Sequence, residues 1–173
     1  MPRFLRLFAA PILTLALIAV ALPAAAAEPA AAPEAIADFT LPNLEGGNTS
    51  LSDHLGDKVI LINFWATWCT PCMKEMPKLN EMQKEHADTL QIISISADEA
   101  KDLAKVKAIV KRFNYEPIVL LDAETKVVSQ LNKRKDMPYT LVIGKDKMIH
   151  HRKKGFTDGD EEKLKEWVLA LMK

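Results

Sequence analysis

The sequence predicts an α/β fold in which a central mixed β-sheet is flanked by helices. Three apolar runs of strand length carry the prediction: Val59–Ile62 within "KVILINFW", Leu90–Ser96, and "PIVLLD" from Pro117 to Asp122. Each leads into residues with apolar positions at helical spacing, and strands that alternate with helices pair in parallel. The last third breaks the alternation. There "TLVIGKDKMIHH", Thr140–His151, reads as two strands around a Lys-Asp turn, which adds an antiparallel pair.

Taken in order, Arg3 and Arg6 precede an apolar run from Leu7 to Leu22 that ends in "PAAAAEP". This is the pattern of a secretory signal peptide, and residues 1–27 are assigned to it, with cleavage after Ala26 or Ala27. If retained, the run is nearly long enough to act as a membrane anchor. Residues 28–36 read as a flexible Pro/Ala tether, and residues 37–173 as one domain. Its first segment, Asp38–Gly56, alternates apolar and turn residues and is expected to form a small hairpin. Val59, Ile60, Leu61 and Ile62 then follow without a polar break, as in a strand buried on both faces. Met73, Met76, Leu79 and Met82 recur at helical spacing directly behind it. Leu103, Val106, Val110 and Phe113 mark a second amphipathic helix, with Asp98 as its expected cap. Val127, Val128 and Leu131 suggest a short third helix, and Leu164, Trp167, Val168 and Leu171 a fourth that closes the chain.

Composition excludes some functions. The 173 residues carry 23 basic and 23 acidic side chains. Removing residues 1–27 leaves 146, with 21 basic against 23 acidic and a net charge of −2. That balance gives no electrostatic case for binding nucleic acid. No glycine-rich loop supports nucleotide binding. The length suits one domain with a real core, which does not need disulfides in place of burial.

Both cysteines nevertheless lie in one short stretch, "WATWCTPC", at Cys69 and Cys72. As a staple so short a ring is worth on the order of 2 kcal/mol, against ~3 kcal/mol for a 15-residue loop. A structural disulfide, a haem attachment site, a metal clamp and a redox pair all compete. Haem attachment fails because Met73 stands where that chemistry requires histidine. A structural zinc site needs four ligands, and there is no second cysteine pair. Copper(I) remains open, since soft thiolates select it and Met73, Met76, His150 and His151 are candidate helpers. The redox reading has a positive mechanism. Cys69 falls where a buried strand turns into a helix, and unpaired N–H groups and the positive end of the helix dipole favour a thiolate there. Cys72 lies one turn inward on the same face, placed to resolve a mixed disulfide formed by Cys69. Pro71 sits in the first turn, where its missing N–H costs nothing.

The stretch "ADFTLPNLEGG…SLSDHLGDKVILINFWATWCTPCMKEMP" resembles the opening of the TlpA/ResA-like thiol-disulfide oxidoreductases of the thioredoxin superfamily. The resemblance implies a thioredoxin-like fold with an N-terminal β-hairpin and a central helix-strand insertion, assigned to Glu99–Leu121. It further implies that Pro138, in "DMPYTLVIG", is a cis proline lying against the cysteines, and that Pro77 is a proline inside the active-site helix. Thioredoxins proper carry a buried aspartate in the strand before the cysteines, where this chain has Asn63. Glu75 matches an acid of the TlpA/ResA-like branch and is the candidate proton acceptor. A plainer reading of Glu75 is an acid favoured near a helix start. Met137 and Tyr139 flank Pro138 where the branch more often has a smaller residue and a threonine.

The resemblance implies an exported, periplasmic, cofactor-free reductant of protein disulfides. Its expected clients are apocytochrome c or another metalloprotein, and its expected electron donor is a membrane thiol-disulfide protein. The alternative is a copper-binding metalloprotein assembly factor that uses the same thiols. Trp65 is expected in the core, and Trp68, beside Cys69, on the contact surface. Lys133–Lys135 reads as a solvated loop, and "HHRKK" as protection for an edge strand. His54 and His86 belong to no constellation.

Overall fold

The computed structural model describes residues 33–173, so the signal-like segment and residues 28–32 of the expected tether lie outside the described residues. The elements are β1 (Glu34–Ala35), β2 (Thr40–Pro42), β3 (Asn48–Ser50), β4 (Val59–Trp65), α1 (Thr70–Glu85), β5 (Leu90–Ser96), α2 (Leu103–Arg112), β6 (Ile118–Leu121), α3 (Lys126–Leu131), β7 (Tyr139–Ile143), β8 (Met148–Lys154) and α4 (Asp160–Leu171). Six strands form one sheet in the order β1-β8-β7-β4-β5-β6. Parallel pairing joins β4, β5 and β6, and antiparallel pairing joins β4 to β7, β7 to β8 and β8 to β1. The mixed sheet read from the sequence is the one observed.

All seven residues of β4 are buried, because layers cover both sheet faces. Val59, Leu61 and Trp65 face α1, α2 and α4, and pack with Met76, Leu79, Met82, Val106, Leu164 and Val168. Ile60, Ile62 and Phe64 face the other way, toward Leu41, Leu51, Val127 and Val128. The period-2 alternation therefore aims Asn63 at α1. The N-terminal segment forms the expected hairpin, β2 with β3. Its turn takes Gly46 to φ 91°, a left-handed conformation natural to glycine. An isolated bridge from Asn43 to Leu120 ties the hairpin to β6. Residues 99–121 form the expected helix and strand, α2 and β6, with β6 at the sheet edge.

Two local expectations change. Glu34 and Ala35, assigned to the tether, pair with Ile149 and Met148, and Glu34 binds Arg152 at 2.7 Å. Backbone pairing plus an ion pair order residues whose composition alone reads as linker. This pairing covers β8 only at Met148 and Ile149, so the "HHRKK" stretch, His150–Lys154, has no backbone partner strand on its outer side. Asp98 does not cap α2. A short 3₁₀ turn, Ala100–Asp102, intervenes, and the Asp98 carboxylate instead accepts from the Thr67 amide at 2.9 and 3.1 Å, the Thr67 hydroxyl at 2.6 Å and the Ser96 hydroxyl at 2.9 Å. It anchors the segment that leads from β4 to the cysteines. Asp98→Ala strands these donors, the Ser96 hydroxyl buried and the Thr67 groups partly so, and should lower stability by about 2–4 kcal/mol in a denaturant titration. A loss under ~0.5 kcal/mol would show that the segment holds without it.

Candidate active site

Cys69 is the N-cap residue of α1, and its sulfur accepts a hydrogen bond from the Cys72 amide at 3.2 Å. The two cysteines form a disulfide, with Cα atoms 5.3 Å apart. Cys69 retains 4% exposure and Cys72 none, so an approaching chain reaches Cys69 first. Pro71 occupies the first turn, where no backbone donor is missed. Trp68 is 70% exposed directly before Cys69, whereas Trp65 is fully buried, as their positions on and off the strand suggested. A groove of about 460 Å³ runs beside Trp68, lined also by Thr67, Asp102, Lys105, Ala108 and Ile109. The insertion helix α2 thus forms one wall of the groove beside Trp68.

The Met137–Pro138 peptide is cis and immediately precedes β7. Met137 is partly buried against both core clusters, one of which contains Cys69 and Cys72. Pro77 lies inside α1.

Glu75 sits in the second turn of α1, on its buried face, with no exposure. Helix-start electrostatics, the plainer reading, acts within the first turn and does not account for an acid there. Its Oε2 accepts from Asn63 Nδ2 at 2.7 Å, and its Oε1 from the Thr140 hydroxyl at 3.3 Å. Burial pushes the Glu75 carboxyl up from 4.5 to about 7, against the opposing pull of the Asn63 hydrogen bond, the Lys153 charge and the Thr140 hydrogen bond. A carboxyl poised near neutrality, one helical turn from the inner cysteine, suits proton exchange at pH 7. Thr140 escaped the sequence reading, and only strand register could have supplied it. Asn63 pairs across the sheet with Thr140, which places both side chains under Glu75.

Of the helpers considered for copper, Met73 and Met76 lie in or against the apolar cluster that holds Cys69 and Cys72, whereas the two histidines do not converge on the cysteines. Met76 is buried in the core, and His150 and His151 lie toward the opposite end of the sheet, where His151 is paired with Val142 and Val142 with Leu61. The His150 ring binds Asp146 and the His151 ring stacks on Trp167 at 4.5 Å. Among the described residues no group of three or more His, Cys, Asp or Glu side chains is placed to hold a metal ion. Lys133, Arg134 and Lys135 are exposed in the loop between α3 and β7.

The profile of the AhpC/TSA family matches residues 32–152, well over half of the chain. The chain belongs to the AhpC/TSA family. Among curated relatives, this family member is 42% identical over 86 residues to thioredoxin-like protein YneN of Bacillus subtilis, covering 49% of this chain and 50% of YneN. It is 33% identical over 135 residues to thiol-disulfide oxidoreductase ResA of Bacillus thuringiensis, covering 78% of this chain and 75% of ResA. The chain thus spans half the length of one relative and three quarters of the other. Among solved structures it is similar to thiol:disulfide interchange protein DsbE of Chlorobium tepidum, with a TM-score of 0.73 and 27% identity over 82% of this chain and 97% of that one. Sequence relatives and fold agree with the TlpA/ResA-like resemblance and with a thioredoxin-like architecture for this AhpC/TSA member.

Proposed function

We propose that the chain is an exported thiol-disulfide oxidoreductase that reduces protein disulfides through Cys69 and Cys72. The observation that carries the reading is the cysteine pair itself, with Cys69 capping α1 and Cys72 buried one turn behind it. The names of the ResA and DsbE relatives support the same chemistry. In the reduced protein the Cys69 thiolate attacks one sulfur of a client disulfide and releases the other as a thiolate. Cys72 then gives its proton to Glu75 and attacks Cys69, which re-forms the intramolecular disulfide and frees the second client sulfur. Two electrons pass to the client and no cofactor takes part. Periplasmic location rests on the signal-like residues 1–27. No helix among the described residues is long and apolar enough to cross a membrane. Apocytochrome c or another metalloprotein with paired cysteines is the proposed client, and a membrane thiol-disulfide protein the proposed donor.

The direction of electron flow follows from the charges. Thr70 and Pro71, between the cysteines, offer no cation or imidazole to stabilise a thiolate beyond the helix end. Strong oxidants of this chemistry owe their potential to a stabilised reduced form. Equilibrating the protein with a glutathione or dithiothreitol series should therefore give a potential nearer ~−270 mV than ~−120 mV. A value above about −150 mV would overturn the reductant reading. Stable one-to-one copper(I) binding by the reduced protein, with no disulfide reductase activity, would favour the assembly-factor alternative instead.

A further inference from the structure

The helix-facing surface of the sheet is apolar at Val59, Leu61, Trp65 and Val142, yet one row is polar across β5, β4, β7 and β8, before it meets Val119 of β6. Register places Ser94 of β5 beside Asn63 of β4, Asn63 beside Thr140 of β7, and Thr140 beside Lys153 of β8. Cross-strand neighbours on one face have Cβ atoms about 5 Å apart, so the row is continuous. Two of its members, Asn63 and Thr140, hydrogen-bond Glu75. Ser94 binds the Tyr115 hydroxyl at 2.6 Å on the far side. At the other end Lys153 is only 11% exposed, and its ammonium does not extend into solvent. It donates to the Gly155 carbonyl and to Asp160 Oδ2, each at 2.6 Å. Asp160 is itself fixed by the Thr157 amide at 2.8 Å and the Thr157 hydroxyl at 2.9 Å.

We propose that the Lys153–Asp160 ion pair is a positioning device for the reaction: held at the end of this polar row, it places two opposed charges beside Thr140, which itself donates to the Glu75 carboxyl. The inference rests on the oxidoreductase reading only for its purpose, not for its geometry. The charged or titratable groups that act on Glu75 from neighbouring elements are Lys153 on β8 and Asp160 at the start of α4, and Glu75 in turn acts on the Tyr115 hydroxyl after α2. From its own helix, Lys74 and Lys78 turn outward to Asp158 and Glu161, at 3.7 Å each. Lys153 favours the carboxylate and Asp160 opposes it. Removing either alone unbalances the pair. The interior screens such charges far less than water does, so the imbalance reaches Glu75.

The test is a ¹³C NMR titration of the Glu75 carboxyl in the full oxidised protein, where neither cysteine titrates, with the resonance assigned from Glu75→Gln. Lys153→Met should raise the Glu75 midpoint by roughly half a pH unit or more, and Asp160→Asn should lower it by a similar amount. Lys153→Arg should restore the native midpoint. A merely structural role would not shift the two variants in opposite senses, so shifts of the same sign, or none, overturn the proposal. Should Lys153→Met fail to fold, Asp160→Asn decides alone: a lowered midpoint supports the proposal, and an unchanged or raised one overturns it. Reductase activity is assayed separately. Opposite shifts in a protein without reductase activity would keep this inference and remove the functional reading, and an active protein with unmoved midpoints would do the reverse.

Discussion

Cys69→Ser should abolish turnover, and Cys72→Ser should stop the proposed reaction half-way with the client still attached. The first variant loses the sulfur that caps α1 and is the more accessible of the two. Disulfide reduction should fall by on the order of a thousandfold or more, since the remaining Cys72 is fully buried and lacks the helix-end position that favours a thiolate. The second variant keeps the attacking thiol and loses the one that resolves the mixed disulfide. Adducts should accumulate, run as higher bands on a non-reducing gel and disappear with dithiothreitol. Isolating them from cells and identifying the attached proteins would name the client class. If Cys69→Ser traps adducts and Cys72→Ser does not, the roles are reversed.

Glu75→Gln should change both the pH dependence of stability and the resolving step. The folded-state carboxyl titrates at about 7, above its ordinary 4.5. The folded protein therefore holds this proton more tightly than the unfolded chain. The stabilisation is complete below pH ~4.5 and is lost progressively as pH rises through ~7. At ~1.4 kcal/mol per pH unit, the difference between pH 4.5 and pH 8 amounts to about 3 kcal/mol from this group alone. Glutamine, always neutral, removes that slope, so denaturant midpoints of the variant should vary less across this range than those of the parent. Kinetically, a proton acceptor is lost, and release of the client should slow by about a hundredfold at neutral pH. With the negative charge gone, the Cys72 thiol should also ionise more readily. A parent-like stability slope together with a parent-like rate would return Glu75 to a structural role.

Much of this site was legible without coordinates because it is local. The unbroken apolar run of Val59–Ile62 followed by Met73, Met76, Leu79 and Met82 at helical spacing places Cys69 at a strand-to-helix junction by chain periodicity alone. The exposure of Trp68 and burial of Trp65 follow from the same junction. The TlpA/ResA-like resemblance added Glu75 and Pro138, which no periodicity singles out. Asp98 was misread for a physical reason: a carboxylate just before a helix reads as a cap, yet here it finds better donors 31 residues earlier, at Thr67.

By itself, then, the sequence determined the class of fold and the cysteine pair at the helix end, since each depends on residues within a few positions of one another, while the acid one turn behind the pair came from the family resemblance. The surroundings of that acid were decided only in three dimensions. Asn63 and Thr140 are 77 residues apart and Lys153 lies 13 beyond Thr140, and they meet because strand register aligns them across the sheet. A slip of one residue would turn each side chain to the other face. That Glu75 titrates near neutrality is likewise a tertiary result, because the water it loses is displaced by packing between α1 and the sheet, not by its neighbours along the chain.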